Sequence, residues 1–175
     1  TILYGSLALP AQSMGVRDLG VGKLLVARED LGKSVFAETV ILLVRYDHDG
    51  TMGIMINRPT KVPISRALQE LKGTSGRSDP VYTGGPVGLQ NVLGLLRASP
   101  MPEGAIPVTG KLHMISTKPL LEKTLAERSG PDGFRVYLGY CGWGSGQLEE
   151  EVRQGVWHVV TGNAAGDVAG KAAGD

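Results

Sequence analysis

Cysteine occurs once, at Cys141, so the chain carries no internal disulfide framework and no multi-cysteine zinc cluster is expected. A solitary thiol fits a reducing compartment. Neither charge sign dominates: 18 basic residues face 17 acidic ones, which argues against electrostatic capture of nucleic acid or an anionic membrane. No apolar run is long enough to span a bilayer. Paired Cys/His spacing and HExxH are both missing, and Asp47-His48-Asp49 lacks the later ligands of a calcium loop. No basic helix suited to a major groove and no RNP-like aromatic pair is present. The expectations are therefore no metal, no cofactor, no direct nucleic-acid binding and no membrane span. Aromatics make up only 5% of the chain, so its core must be aliphatic.

Glycine is abundant, at 26 of 175 residues, which favours many tight turns in a single domain. At the start, apolar Ile2–Ala11 ends in Leu9-Pro10-Ala11 and runs into Gln12-Ser13. That pattern fits a secretory signal stripped of its basic front, or else an ordinary N-terminal strand or arm. The expected division is an arm over 1–21, a domain over 22–160 and a flexible tail over 161–175. The expected location is the cytoplasm, with export as the alternative if 2–11 is a signal remnant.

Strand signals alternate with turn signals along the domain. Gly22–Ala27 reads as a buried strand, and Asp30–Glu38 as a connector. Thr39–Gly50 and Thr51–Pro59 read as a hairpin around Asp49-Gly50. Val62–Gly73 places Ile64, Leu68 and Leu71 on one helical face, with Pro63 in the first turn. Further strands are expected before Gly84-Gly85, at Asn91–Arg97, at Lys111–Thr117, at Gly133–Tyr140 and at Val156–Val160. Thr117–Arg128 is the clearest helix, with Thr117 as N-cap, and Gly146–Gly155 is a third. Neighbouring strands are joined too tightly for parallel crossovers, so the predicted class is α+β, a mainly antiparallel, barrel-like sheet flanked by two to three α-helices.

Three segments place special residues at strand ends. Asn57-Arg58 precedes Pro59, which biases Arg58 toward extended backbone. Arg58 offers a fork of donors to a carboxylate or phosphate, or a mere surface charge, while Asn57 can bind a ligand or tie its own turn. Gly84-Gly85-Pro86 permits a sharp turn or an anion nest; it is neither a Walker loop nor a dinucleotide fingerprint. Leu138–Val152, "LGYCGWGSGQLEEEV", reads as a strand-to-helix corner pinned by Trp143, with Ser145 as N-cap and Glu149–Glu151 on the positive end of the helix dipole. Cys141 near that helix is either an activated thiol or a small buried hydrophobe. His48, His113 and His158 are scattered and form no recognisable catalytic frame.

Taken in order, "GKLLVA", "VFAETVILL", "GTMGIMINRP", "YTGGPVG", "LGYCGWGSGQLEEEV" and Trp157 resemble the AlgH/YqgE family of bacterial proteins, also represented in plants. The resemblance spans Gly22 to Trp157. It implies one α+β domain with an antiparallel, barrel-like sheet, and it carries no agreed enzymatic activity. Some members bear the label of transcriptional regulator for alginate production. Signature positions map to Asn57, Gly84, Gly85, Pro86, Trp143, Gly146, Gln147 and Leu148. The chain departs from the pattern at Arg28-Glu29, where the family has Met-Pro, and at Cys141, where alanine is common. It departs again after Trp157, where it turns small and polar.

The function expected is a non-catalytic binding or regulatory domain. Asn57, Arg58, Gly84, Gly85, Trp143, Gly146 and Gln147 would gather around one polar cleft for a small anion or a peptide carboxylate. The alternatives are an enzyme using Cys141 or a histidine, and a module that docks a protein partner.

Overall fold

The structure, a computed structural model, describes residues 15–28, 36–128 and 133–161. The apolar stretch 2–11, most of the connector after Asp30 and nearly all of the tail lie outside the described residues. A short 3-10 turn, Val16–Asp18, leads to β1 (Leu24–Ala27), β2 (Val40–Asp47), β3 (Gly50–Met55), β4 (Pro59–Pro63) and α1 (Ile64–Ala67). The chain continues through β5 (Pro80–Thr83), β6 (Val87–Arg97), β7 (Ile106–Thr109), β8 (Leu112–Ile115) and α2 (Lys118–Glu127). It ends with β9 (Phe134–Gly144), α3 (Gln147–Arg153) and β10 (Trp157–Val160).

The strands form a ten-stranded sheet in the order β10-β1-β2-β3-β9-β6-β8-β7, with β4 and β5 set beside it. All pairings are antiparallel except β5 with β9. The expected hairpin is β2–β3, with Asp47 opposite Gly50. Long β9 is the seam of the molecule. One of its edges pairs with β6, while the other is shared between β5 at Tyr137–Leu138 and β3 at Cys141–Gly144.

The sheet curls without closing, which corrects the barrel-like expectation. β10 and β7 end the strand order and do not pair with each other. Curvature nevertheless brings the two ends onto one inner core, where Leu24 and Leu42 pack with Val108, Leu112, Met114, Ile54, Leu95 and Tyr137. The outer face carries two further cores. Ile64, Leu68, Leu121, Leu125, Phe134 and Val136 pack beneath α1 and α2. Leu25, Ile41, Cys141, Trp143, Leu148 and Trp157 pack beneath α3. Burying each such large side chain contributes roughly 1.5–3 kcal/mol.

Local readings differ in five places. The helix expected over Val62–Gly73 is only Ile64–Ala67. Ile64, Leu68 and Leu71 are all buried as expected, but the Ile64 and Ser65 N–H groups donate to Asp79 and Arg77 carbonyls, stitching the segment to the chain before β5. β4 and β7 are strands where none was read; both are short, proline-bearing pieces whose pairing comes from remote chain. β9 runs through the glycines to Gly144 instead of ending near Tyr140. The N-cap of α3 is Gly146, in a left-handed conformation with φ 77°, not Ser145. Thr117 does occupy the N-cap of α2, though without a capping side-chain bond.

Candidate functional site

Gly139 decides which way the aromatic stretch faces. Phe134, Val136 and Leu138 point to the outer face, as their alternation predicts. Gly139 then takes φ 78°, open to glycine and costly for other residues. The strand slips phase there, as a bulge does. Beyond it Tyr140 joins the inner side, whereas Cys141 and Trp143 turn to the outer face. Trp143 packs edge-on against Trp157, ring centroids 6.2 Å apart, and Leu148 of α3 lies in the same core. Tyr46 also ties α3 down, its hydroxyl donating to Glu149 at 2.6 Å. Burial raises the Glu151 carboxyl above its ordinary pKa, and the neighbouring Trp157 and Trp143 indoles pull it partly back.

The three signature segments meet through backbone. The Gly84 N–H donates to Leu138 O at 2.7 Å, and Gly84 O accepts from Met55 N–H at 2.8 Å. The Thr83 N–H donates to Arg58 O at 2.9 Å. Gly84 thus joins the end of β3 to the middle of β9. A methyl group on Gly84 would lie 2.3 Å from Gly139 O, and one on Gly85 2.1 Å from the Tyr140 carbonyl. Only hydrogen fits between these backbones.

The side chains are distributed differently. Asn57 accepts from Val40 N–H at 3.0 Å and donates to Glu38 O at 2.8 Å. Arg58 donates to Ala37 O and, at 2.8 Å, to the Thr39 hydroxyl. Together they clamp a turn in which Glu38, a non-glycine residue, has φ 56°. That conformation costs on the order of 1 kcal/mol, which the clamp offsets. Gln147 is exposed and accepts the Gly144 N–H at 3.1 Å, closing the bend into α3. Gly146 is exposed in the same bend.

The recesses lie elsewhere. One, of about 330 Å³, is lined by Arg45, Thr51, Met52, Val87, Tyr140 and Trp143, among others. A second of about 330 Å³ is lined by Met52, Asn91, Val92, Ser116, Lys118 and Tyr140, among others. They share Met52 and Tyr140 and so adjoin as a twin cleft. Each half is at the small end of the size range of ligand sites. Of the residues picked out from the sequence, Trp143 lines this cleft directly, and Gly85 abuts the Tyr140 backbone that shapes it. Asn57, Arg58, Gly84, Gly146 and Gln147 are not among its lining residues. Sequence reading missed Met52, Asn91, Lys118 and Tyr140. The available signal was Gly139 itself, a glycine inside a strand pattern, which marks a bulge that shifts the alternation by one residue. A third recess, of about 370 Å³, lies by Thr60, Lys61, Ser65 and Arg77, but Arg77 is already paired with Asp79 at 2.7 Å.

Cys141 is 2% exposed, its thiol facing Gly84 O at 3.7 Å, and burial pushes its pKa up to about 12. His48 lies in the exposed β2–β3 turn, His113 is buried on β8, and His158 is exposed on β10. No group of three or more His, Cys, Asp or Glu that could hold a metal ion occurs among the described residues. Among those residues, too, no helix is long and apolar enough to cross a membrane.

Comparison with known proteins gives one answer. A family model described as AlgH-like matches residues 24–173. The UPF0301 protein SCO2948 of Streptomyces coelicolor is 35% identical over 154 residues, covering 85% of this chain and 78% of that one. A UPF0301 protein of Hahella chejuensis is 36% identical over 138 residues, covering 77% and 73%. Among solved structures, the AlgH protein of Pseudomonas aeruginosa superposes with TM-score 0.66 at 28% identity, covering 82% of this chain and 78% of that one. The protein DIP2367 of Corynebacterium diphtheriae gives TM-score 0.68 over 83% and 77%, at 22% identity, a likeness of fold.

Proposed function

The chain belongs to the AlgH-like family, and on that premise we propose that it is a non-catalytic binding domain whose ligand lies across the twin cleft. The observation that carries this reading is the meeting of two recesses at Met52 and Tyr140. Met52, Val87, Val92 and Tyr140 offer apolar walls, while Asn91, Ser116 and Lys118 offer polar groups at one end. That arrangement suits a small amphipathic carboxylate, such as a peptide with a free C-terminus, its carboxylate near Lys118 and its apolar body between Met52 and Tyr140. Gly84, Gly85 and Gly139 act from behind, setting the backbone that aims Tyr140. Asn57 and Arg58 hold the turn before β2, and Gly146 and Gln147 set the bend after Trp143. In a regulatory role, occupancy of the cleft would be read by a protein partner. The buried, protonated Cys141 weighs against thiol chemistry, and a lone cysteine supports a cytoplasmic location.

Methionine-methyl NMR tests the reading with short peptides bearing a free C-terminal carboxylate and their amidated counterparts. The carboxylate forms are expected to shift the Met52 methyl resonance and leave that of Met114, buried in the inner core, in place. Tyr140→Ala should abolish the response. If no peptide moves Met52, or the variant responds like the wild type, the cleft is not the site.

A further inference from the structure

The inner face of the curled sheet is apolar along most of its length but changes character where β6 ends and β9 begins. Arg97 and Arg135 both lie there. Leu95 is directly opposite Arg135, and Arg97 is two residues further along β6 on the same face, so the two arginines are diagonal neighbours. Tyr137 follows two residues along β9, again on that face. Tyr82 of β5 closes the group, its ring 5.2 Å from the Tyr137 ring, with the Arg135 guanidinium 5.2 Å from its centroid.

Two donors in this group are unsatisfied. The Arg97 Nη2 is buried without a hydrogen-bond partner, and the O–H of Tyr137, a fully buried residue, finds no acceptor, since the side chain that meets it, Arg135, is itself only a donor. Such orphans cost roughly 1–3 kcal/mol each, and more for a charged group, so their persistence calls for an explanation. The ion pairs shown among the described residues are Arg45–Asp47, Arg77–Asp79 and Arg153–Glu150, none of which involves Arg97. Burial raises the Tyr137 phenol above its ordinary pKa, and the adjoining Arg135 guanidinium pulls it only partly back, so it stays a neutral O–H. Arg97 as a whole is half-buried.

We propose that Arg97, Arg135 and Tyr137 form an oxyanion site on the inner face of the sheet, accepting a carboxylate or phosphate group, with the Tyr82 ring as its wall. The Arg97 Nη2–H and Tyr137 O–H would donate to the anion, and Arg135 between them supplies positive potential. This site uses none of the residues of the twin cleft, so the two assignments stand or fall separately.

Thermal denaturation in phosphate, acetate and chloride at equal ionic strength tests it. Phosphate or acetate, whichever chemistry the site takes, should raise Tm over chloride by roughly 3–6 °C for each tenfold rise in concentration above Kd. Arg97→Gln should weaken that response at least tenfold, while Tyr140→Ala should leave it intact. Tyr137→Phe should lose the anion response. The proposal is overturned if neither anion acts beyond chloride, or if Arg97→Gln and Tyr137→Phe respond like the wild type.

Discussion

Replacing Gly84 with alanine tests how the signature segments are joined. The added methyl would sit 2.3 Å from Gly139 O, a backbone atom that no rotamer change can move aside. Relief requires one strand to shift, and that shift strains two bonds, Gly84 N–H to Leu138 O and Met55 N–H to Gly84 O. Overpacking of this kind costs about 1–3 kcal/mol, and each weakened backbone bond about 0.5–1.5 kcal/mol. The expected loss is roughly 3–5 kcal/mol, a large share of the typical 5–15 kcal/mol stability of a domain, and a fall in Tm on the order of 10 °C. Gly142→Ala, in the same strand, is the matched control. Its methyl would come no closer than 3.6 Å to the Tyr140 ring, an ordinary contact, so its effect should stay within about 1 kcal/mol. Urea titration of both variants, with m-values checked for constancy, gives the comparison. A Gly84→Ala protein within about 0.5 kcal/mol of the wild type would refute the reasoning, as would equal losses in the two variants.

Cys141 should react with iodoacetamide at neutral pH at least 100-fold more slowly than a free thiol, and at the ordinary rate once urea unfolds the protein. Its ordinary value is 9.0 and its folded value about 12. The stability linked to this thiol is therefore fully present below about pH 9 and lost as pH climbs toward 12, at a slope of up to about 1.4 kcal/mol per pH unit. Cys141→Ala should flatten that part of the stability-versus-pH curve, and an unchanged curve would show that the thiol is not the group responsible. Asn57→Ala should cost about 1–2 kcal/mol and Arg58→Ala about 1–3 kcal/mol, because each strips partners from the turn around Glu38. Asn57→Ala should also speed hydrogen exchange at the Val40 amide, whose acceptor is the Asn57 side chain. Exchange at wild-type rates would mean that Asn57 is not its acceptor in solution.

The amino-acid pattern alone determined the class of fold, most strands and the clearest helix, because period-2 alternation, turn glycines and a first-turn proline act over a few residues. Asp49-Gly50 marks the β2–β3 hairpin in this way, and Pro119 marks the start of α2. The family, too, was legible from its glycine-bearing corners. Tertiary structure alone decided the rest. β4 and β7 exist because distant strands offer them hydrogen bonds, and the segment at Val62 is anchored by remote carbonyls at its first N–H groups while its helix stops at Leu68, whose φ of −128° is not helical. Closure of the sheet is likewise a matter of how twist accumulates over ten strands, which no local signal records. The same holds for the candidate sites. Met52 and Tyr140 are 88 positions apart in the chain, as numbered, and Arg97 and Tyr137 are 40 apart, so each pair becomes a neighbourhood only when β3, β6 and β9 lie side by side.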